Sequence, residues 1–385
     1  MALTFTSTSY VGELAAEPIY DMLKAGDTIK KKAITVHPNI KKKEFIQTLT
    51  TNATFQARAD AFTASGATTI AERSLTPANL MSQDEVGVTV LLTAWQAAQM
   101  AAGADNNMLP DTLSRFLIDR KVEIIGNQQD ELIWQGDTTL TSNTIRKWHD
   151  GILTLAIADS GVTKGTPTQL VVTAITVGAT TLLTVSTTAN LNVGDKVSCG
   201  NFAGADAATL NGLSFSILTI PSSTTITIDA VTTGLTITDN TDAAWFQYIN
   251  KSNVIAMLES VMRSTTPQVR NAPDFGLYVP DHVAEAYIDA NIAAGIGHGV
   301  AYQNEYGLLY KGKQIFRQQY FLDNTILSSR VGNLFFGTDL LSDENEVRAW
   351  PMNEVTGDDV FRFSAKFSSS VNYGFATQMK LMYPH

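Results

Sequence analysis

Large apolar residues recur at helical spacing in the middle of the first half of the chain. The pattern begins beside Pro110, a residue that favours the first turn of a helix, and continues to Ile133. Its apolar positions include Leu113, Phe116, Leu117, Ile124 and Ile125. Gln135, Gly136 and Asp137 then interrupt it. We predict one long helix over residues 109–133.

A different pattern fills residues 165–240. This segment contains 18 Thr and only five charged side chains, and its β-branched runs are separated by Gly, Asn, Pro and Ser. The runs cover residues 170–177, 181–185, 214–220 and 224–228. The flanking sequence is charged, aromatic and partly helical. We therefore predict a small all-β domain, a barrel or a sandwich, inserted into an exposed loop of a host domain.

Beyond this segment, helical and strand patterns follow one another. Residues 254–262 predict a helix and residues 275–280 a buried strand, after which Asp281 or a neighbour caps a helix that passes through Ile292. The remainder predicts mainly strands, at residues 313–319, 333–336, 346–350, 359–364 and 378–382. The host is therefore expected to have an α+β fold with a strand-rich C-terminal half.

The N-terminal region has little periodicity. Residues 1–43 predict an extended arm with a local basic patch at Lys30, Lys31, Lys32, Lys41, Lys42 and Lys43. The patch suits either a solvated or subunit-pairing surface or a contact with nucleic acid. Residues 44–81 are rich in Thr and Ala with few large apolar residues. We predict a long extended loop or hairpin that needs a neighbour for support.

Composition narrows the classes of function. Charged residues make up 17% of the chain, below the roughly 25% of ordinary soluble domains, which suggests that self-association covers much of the surface. The net charge of -10 argues against a dedicated nucleic-acid binder. The single cysteine, Cys199, excludes an intrachain disulfide framework, fits a reducing compartment and is best interpreted as a small buried side chain.

Neither a leader nor a membrane span is predicted. The first twenty residues lack both the basic start and the apolar core of a signal peptide. Residues 86–104 are uncharged, but their apolar density is too low for a bilayer, so a buried or interface helix is expected. We expect the protein to be cytoplasmic when it is made.

The sequence offers little to support catalysis. No two of the five histidines have metal-ligand spacing on one helix, and no Cys-x-x-Cys pair is present. The segment from Gly295 to Gly299 follows a predicted helix and lacks the dinucleotide-binding spacing, so we expect a flexible loop. Trp148, His149 and Asp150 are adjacent in sequence and predict a structural turn. We predict no catalytic residue, no metal site and no cofactor.

Three stretches resemble tailed-bacteriophage major capsid proteins with the Hong Kong 97 fold. Residues 131–137 (ELIWQGD) with 148–153 (WHDGIL) resemble the end of that family's spine helix and the turn after it. Residues 307–315 (GLLYKGKQI) with 321–324 (FLDN) resemble the strand pair before its C-terminal sheet. Residues 332–340 (GNLFFGTDL) with Ser342 and Asp343 resemble its apolar strand followed by a Gly-Thr-Asp turn.

The resemblance implies a domain plan. It assigns 1–43 to an N-terminal arm, 44–81 to an extended loop lying on a neighbour, and 82–150 with 307–385 to a peripheral domain that holds the spine helix. Residues 151–164 and 241–306 would form an axial domain, with 165–240 as the inserted domain. A loop at the capsomer centre, about 290–305, would contain Gly295, Gly297, His298 and Gly299.

The same resemblance implies a function and partners. Copies would form the hexamers and pentamers of an icosahedral capsid in the virion, assembled in the host cytoplasm around double-stranded DNA without sequence-specific contacts. The long charged scaffolding segment with which the family often begins is absent from this sequence, so either a separate scaffolding protein exists or the chain is already processed. Portal and decoration proteins are further expected partners, and no membrane is.

Two other functions remain open. One is a nanocompartment shell similar to encapsulins, and the other is a phage tail or surface-adhesion protein. The inserted segment resembles small β modules of phage structural proteins at 191–197 (LNVGDKV) and 210–215 (LNGLSF), where Asn211-Gly212 is a strong hairpin signal. Its uncharged Thr-rich face suits a decoration or neighbour contact, a glycan-binding module in the adhesin, or simple solubility.

Overall fold

The computed structural model describes residues 8–11, 19, 21–22, 25–58, 60, 63–87, 110–143, 145–295, 307–340, 346–352 and 360–385. In chain order the strands and helices are β1 Thr8–Val11, α1 Asp27–Lys30, β2 Thr35–His37, β3 Glu44–Ala53, β4 Gly66–Leu75, β5 Ala78–Gly87, α2 Pro110–Gln135, α3 Ile152–Ala158, β6 Thr163–Gly165, β7 Thr168–Thr176, β8 Thr181–Val185, β9 Lys196–Gly200, β10 Ser214–Ser222, β11 Thr225–Ile228, β12 Trp245–Tyr248, α4 Val254–Ser264, α5 Pro267–Arg270, β13 Phe275–Pro280, α6 Asp281–Ala293, β14 Leu309–Tyr310, β15 Lys313–Gln318, β16 Ile326–Arg330, β17 Leu334–Gly337, β18 Glu346–Pro351, β19 Val360–Tyr373 and β20 Lys380–Met382. None of the described helices is long and apolar enough to span a membrane.

The chain divides into two compact units. The first comprises residues 1–154 and 332–374, and the second residues 155–331 and 375–385. The first unit contains a sheet in the order β1-β18-β19-β17-β2, in which β5 also pairs with β19. Strand β19 is the centre of this sheet, since its first ten residues pair with β5 and its last four with β17.

The long helix α2 lies in the first unit and confirms the long helix predicted for residues 109–133. Its inner positions bury Ile125, Leu132, Ile133 and Trp134. Gly126 is required where the helix meets the N-terminal segment, because a Cβ atom there would lie 2.5 Å from the carbonyl oxygen of Met22. The helix ends at Gln135, as the sequence predicts.

The second unit contains a mixed sheet in the order β14-β15-β13-β16-β20-β6. Strands β13 and β15 are parallel, as are β20 and β6, and the other pairs are antiparallel. Helices α4 and α6 cover an apolar core that includes Leu258, Leu277, Val283 and Ile326. The predicted helix at 254–262 and the buried strand at 275–280 are confirmed.

A closed antiparallel barrel forms the rest of the second unit. Its strands follow the order β10-β11-β8-β7-β12-β9, and β9 pairs with β10 to complete the ring. Inward-facing side chains such as Val172, Leu183, Ile226 and Phe246 are fully buried. Cys199 is buried in this core, as predicted, and burial raises the pKa of its thiol to about 12.

Several boundaries differ from the predicted ones. The last barrel strand, β12, lies beyond residue 240, and β7 begins at Thr168. Residues 307–331 and 375–385, assigned from sequence to the same domain as the spine helix, fall in the second unit. Strand β5 starts at Ala78 and pairs with β19, so 78–81 belong to the first unit's sheet and 86–87 are strand. The helix predicted for 86–104 otherwise lies outside the described residues.

Two local predictions are also corrected. Helix α6 has Pro280 at its N-cap and no side-chain capping bond, so the prediction that Asp281 or a neighbour caps it is wrong. The Asp281 carboxylate instead accepts a bond from Arg317 Nε at 2.6 Å. Strand β16 was not predicted, because Ser328 and Ser329 occupy fully buried positions where apolar residues are the usual signal. Ser328 Oγ lies 3.0 Å from Thr265 Oγ1, so this buried hydroxyl has a hydrogen-bond partner.

Candidate functional site

The most distinctive surface of the first unit is the hairpin formed by β3 and β4. The two strands pair over ten residues each, from Glu44 opposite Leu75 to Ala53 opposite Gly66. At its base, Leu75 is fully buried and the Arg73 guanidinium lies 4.2 Å from the Tyr373 ring centre. Asn372 Nδ2 donates to the Ser74 carbonyl at 2.9 Å. The base is therefore anchored to β19, the centre of the sheet.

One face of this hairpin presents apolar side chains to solvent. Leu49 and Ile70 are directly opposite each other on the two strands, and Phe45 lies on the same face because it is four residues from Leu49. Phe45, Leu49 and Ile70 are 54%, 58% and 64% exposed. We call these three side chains the outer face of the hairpin.

The hairpin tip carries a fourth exposed apolar residue, Phe55, which is fully solvent-exposed. The chain on either side of it is held by cross-hairpin bonds beyond the last ladder pair. Ser65 Oγ donates to the Thr54 carbonyl at 2.8 Å, and Gln56 Nε2 donates to the Thr63 carbonyl at 2.8 Å. Phe55 is thus presented outward from a hydrogen-bonded stem.

The predicted basic patch lies in the same unit. Lys30, Lys31, Lys32, Lys41, Lys42 and Lys43 are all exposed. Lys31 pairs with Asp27 at 2.8 Å, and the Lys43 ammonium lies 4.6 Å from the Phe45 ring centre, so this lysine borders the outer face. Whether the patch contacts another subunit or DNA stays a prediction.

The predicted capsomer-centre loop lies mostly outside the described residues. Gly295 follows α6 with a φ of +75°, a left-handed conformation that glycine adopts without steric cost. Gly297, His298 and Gly299 fall among the residues that the structure does not describe. Their assigned role stays a prediction.

An arrangement among the described residues that resembles a catalytic pair surrounds His149. Its Nε2 atom lies 2.9 Å from Ser369 Oγ, which also accepts a bond from Gln129 Nε2 at 2.6 Å. Burial lowers the pKa of His149, as expected for a neutral imidazole in the interior. Ser369, however, is fully buried, and His149 Nδ1 faces the backbone carbonyl of Asp150 rather than a carboxylate.

Asp150 itself is engaged elsewhere, since its Oδ1 atom accepts bonds from the backbone and hydroxyl of Thr138 at 2.8 Å. This geometry orders the turn after α2 and offers a substrate no access to the serine. The prediction of a structural turn at Trp148-His149-Asp150 agrees with these contacts. Within the described part of the chain, no three His, Cys, Asp or Glu side chains are grouped as a metal site requires.

Sequence reasoning identified the segment of the hairpin but missed its outer face. Thr and Ala dominate residues 44–81, and the few large apolar residues are too far apart to suggest a surface. The signal lies in the pairing: Leu49 and Ile70 become neighbours only when β3 and β4 are placed in register.

Comparison with known proteins gives structural matches only. No protein-family model matches the sequence, and no curated protein matches it. The satellite phage P4 procapsid, which includes the size-determination protein Sid, matches with a TM-score of 0.45 and 9% identity, covering 94% of this chain and 96% of that chain. The capsid of Myoviridae phage XM1 matches with a TM-score of 0.48 and 10% identity, covering 94% and 92%. The virus-like particle from Pyrococcus furiosus matches with a TM-score of 0.41 and 8% identity, covering 97% and 99%.

Proposed function

We propose that this chain is a major capsid protein of a tailed bacteriophage. Copies of it would form the hexamers and pentamers of an icosahedral shell that encloses double-stranded DNA. The observation that carries the proposal is the hairpin, whose outer face and tip expose four large apolar side chains on an element that is anchored at its base.

A two-stranded hairpin with an uncovered apolar face is marginally stable by itself in water. Covering each of these half-exposed side chains would contribute roughly 1 kcal/mol or more, at about 25 cal/mol per Å² of apolar surface. The same contact would recur at every subunit of a closed assembly, so a modest free energy per contact is enough to hold a shell together. A neighbouring copy is the partner that such repetition requires.

The charge balance supports a container rather than a DNA-reading protein. The net charge of -10 disfavours general adhesion to packaged DNA. The exposed lysines at 30–32 and 41–43 would then pair subunits or screen phosphates locally. Within the proposal the chain needs no cofactor, and its expected partners remain a scaffolding protein, a portal and decoration proteins.

The proposed domain roles follow the Hong Kong 97 plan with revised boundaries. The first unit, with the spine helix α2 and the sheet around β19, would be the peripheral domain, and the hairpin its extended loop. The mixed sheet of the second unit would be the axial domain, with the loop after Gly295 at the capsomer centre. The barrel, residues 168–248, would be the inserted domain.

Electron microscopy of the protein, expressed with and without a candidate scaffolding protein, tests the proposal. Closed shells or rings of five and six subunits are expected. Protein that stays monomeric under all conditions would contradict it, and monomers that bind glycans would favour the adhesion function instead. Shells that take up a co-expressed protein cargo and exclude DNA would favour the nanocompartment.

A further inference from the structure

The second unit contains a histidine where helix α6, the barrel and the mixed sheet come together. His282 is the second residue of α6, and its side chain is 19% exposed. Its ring contacts Asp323 and Asn324, in the segment that leads into β16. Asn324 in turn bonds Ser198 and the backbone N–H of Ile249 on the barrel side. His282 is therefore in contact with the residue that joins the barrel to the mixed sheet.

The contacts of the ring determine which of its nitrogens carries the proton. The backbone N–H of Asn324 donates to His282 Nε2 at 3.2 Å, so this nitrogen must offer a lone pair. Nδ1 lies 3.4 Å from Asp323 Oδ1, so a proton on Nδ1 faces a carboxylate. A proton on Nε2 instead would face the Asn324 N–H and leave a lone pair facing the carboxylate. The neutral ring with its proton on Nδ1 is therefore the form that this junction favours.

A second proton on the ring is incompatible with one of these contacts. The Asn324 N–H would lose its acceptor, and water cannot replace it because Asn324 is fully buried. The new Nε2–H could donate to Asn324 Oδ1, which is 3.2 Å away. That oxygen, however, already accepts a bond from the Ile249 N–H at 2.9 Å. Protonation of His282 therefore disturbs the bonds of Asn324 on which the junction with the barrel depends.

The charges around the ring act in opposite directions. His282 lies in the first turn of α6, where the helix dipole disfavours a positive charge. The Asp323 carboxylate favours a positive ring, but it is 34% exposed, so solvent screens its attraction. Lys196 on β9 also acts on this carboxylate, which weakens its influence on the ring further.

The acidic groups beside His282 on α6 are bonded to another cation. Asp281 Oδ1 accepts a bond from Arg317 Nε at 2.6 Å, and Glu285 Oε1 accepts one from the same guanidinium at 2.9 Å. Their negative charges are balanced by this arginine of β15. The bonds of Asn324 and the helix dipole therefore decide the sign, and the intact junction favours the neutral ring.

We propose that His282 is a proton-sensitive latch between the barrel and the mixed sheet. With a neutral ring, His282 supports Asn324 and the barrel is held. When the pH falls and the ring takes up a second proton, the bond from the Asn324 backbone is lost and the junction loosens. Histidine is the side chain that changes charge near neutral pH, and the partial exposure of this ring lets solvent protons reach it. The latch lies wholly within the second unit and does not depend on the proposed function.

Hydrogen exchange of the full, unassembled chain tests the latch. Mass spectrometry measures the protection of the amides in residues 245–250, each relative to its intrinsic exchange rate, at about pH 8 and about pH 5.5. We expect protection to fall about tenfold or more at the lower pH. Strand β8 lies within the barrel and should keep its protection.

Equal protection of residues 245–250 at the two pH values would overturn the proposal. A parallel loss of protection in β8 would also overturn it, because the barrel would then be unfolding as a whole rather than leaving an intact junction.

Substitutions separate the effect of the proton from that of the side chain. His282→Gln can offer an amide oxygen to the Asn324 N–H but cannot take up a proton, so protection should be the same at both pH values. His282→Ala removes the acceptor and should give low protection at both. The matched control is His37→Gln, because His37 is a partly buried histidine of the first unit that lies 3.1 Å from Glu44. The control should respond to pH as the unmodified chain does.

A His282→Gln variant that still loses protection at the lower pH would show that another group carries the response, and the latch would be rejected. Nitrogen NMR of histidine-labelled protein gives a readout that needs no loosening. The His282 signals, identified by their absence from His282→Gln, should show a proton on Nδ1 and a lone pair on Nε2 at about pH 8. A proton on Nε2 at that pH would contradict the contacts from which the proposal is drawn.

Discussion

Asp130 is a buried carboxyl group whose protonation is coupled to the stability of the first unit. It projects from α2, and its Oδ2 atom accepts a bond from the Thr28 backbone N–H at 3.2 Å. The Thr28 hydroxyl in turn accepts a bond from Trp134 Nε1 at 2.8 Å. Burial raises the pKa of Asp130 to about 6, above its ordinary value of 3.8. Burial therefore favours the protonated carboxyl in the folded chain, and the hydrogen bonds from Thr28 offset this only in part.

This raised pKa predicts stability that decreases as pH rises. Below pH 3.8 the carboxyl is protonated in the folded and unfolded chains alike, and its contribution is lost as pH rises through about 6. The change corresponds to about 3 kcal/mol at most. Asp130→Asn keeps an acceptor for Thr28 but cannot ionise. Urea unfolding of the unassembled protein should show that this component of the pH dependence is absent from the variant. Parallel pH profiles for the two proteins would contradict the prediction.

Asn324 holds the barrel to the mixed sheet within the second unit. Its backbone has a φ of +53°, and its side chain is fully buried. Oδ1 accepts a bond from the Ile249 N–H at 2.9 Å, and Nδ2 donates to Ser198 Oγ at 2.8 Å. The side-chain amide of Asn324 therefore forms hydrogen bonds both with β9 and with the residue that follows β12.

Asn324→Ala should destabilise the second unit by roughly 3 kcal/mol, because buried polar groups lose their partners. Asn324→Gly loses the same bonds but accepts the left-handed backbone, so it should be about 1 kcal/mol less destabilising than the Ala variant. Urea unfolding of both variants measures the two effects. Equal stability of the two would show that the backbone strain is negligible.

The surroundings of a residue were predictable from the sequence only where the residue types near it along the chain determine them. The burial of Cys199 follows from its type and its place in an uncharged strand-rich segment. The contact of His149 with Ser369 joins positions 220 residues apart, so no local pattern announces it. The raised pKa of Asp130 could not be predicted from the sequence for the same reason, because only the folded chain removes that carboxyl from water.

At the scale of elements, substitutions on the outer face of the hairpin can affect association without affecting the folding of the hairpin. Replacing both Leu49 and Ile70 by Thr places β-branched side chains at these exposed strand positions, so monomer stability should change by no more than about 0.5 kcal/mol. Assembly, however, should require several-fold more protein because the apolar contact is lost. Light scattering over a concentration series measures this.

The matched control alters the opposite face of the same hairpin. Thr50 and Thr69 form an exposed cross-strand pair there, and replacing both by Ser should leave assembly unchanged. Equal assembly of the Thr-substituted variant and the unmodified chain would mean that the outer face takes no part in association.

Elements with a clear local apolar pattern were predictable, and elements whose residues show it only through their partners were not. Helix α2 has large apolar residues at helical spacing and strand β13 is a short, continuously buried run, and their predicted spans agree closely with the structure. Strand β19 was predicted to end at Ser364 but continues to Tyr373. The run Ser368-Ser369-Ser370 in its second half is buried and gives no apolar signal.

For the whole molecule, the division into units depends on pairings that join distant segments. Residues 307–331 belong to the second unit because β15 pairs in parallel with β13, and 375–385 belong there because β20 pairs with β16 and β6. Parallel neighbours lack a connecting turn, so sequence alone offers no signal for them. The all-β character of the barrel, in contrast, was visible in composition.

The barrel should be removable as a unit. Thr168 and Tyr248 are opposite each other on β7 and β12, so the ends left by deleting 169–247 lie close enough for a short Gly/Ser linker. We expect the remaining chain to stay folded, although less stable because Asn324 loses partners on the barrel. Circular dichroism and limited proteolysis check this.

Deleting residues 165–240 should give a less soluble protein than deleting residues 169–247. It leaves β12 without β7 and β9, and it exposes Phe246 and Tyr248, which are buried in the barrel. Aggregation of this variant is the expected result. If it is as soluble as the 169–247 deletion, the boundary at Tyr248 is wrong.

Because β7 and β12, the first and last strands of the barrel, are neighbours, the barrel can be gained or lost during evolution with little effect on the rest of the chain. The polypeptide departs from the mixed-sheet unit and re-enters it at nearly one point, so the junction constrains only the spacing of two chain ends. Any compact module with neighbouring termini would satisfy that constraint, whatever its own architecture. We therefore expect that the barrel can be exchanged, lost or replaced by a reporter while the rest of the polypeptide keeps its sequence.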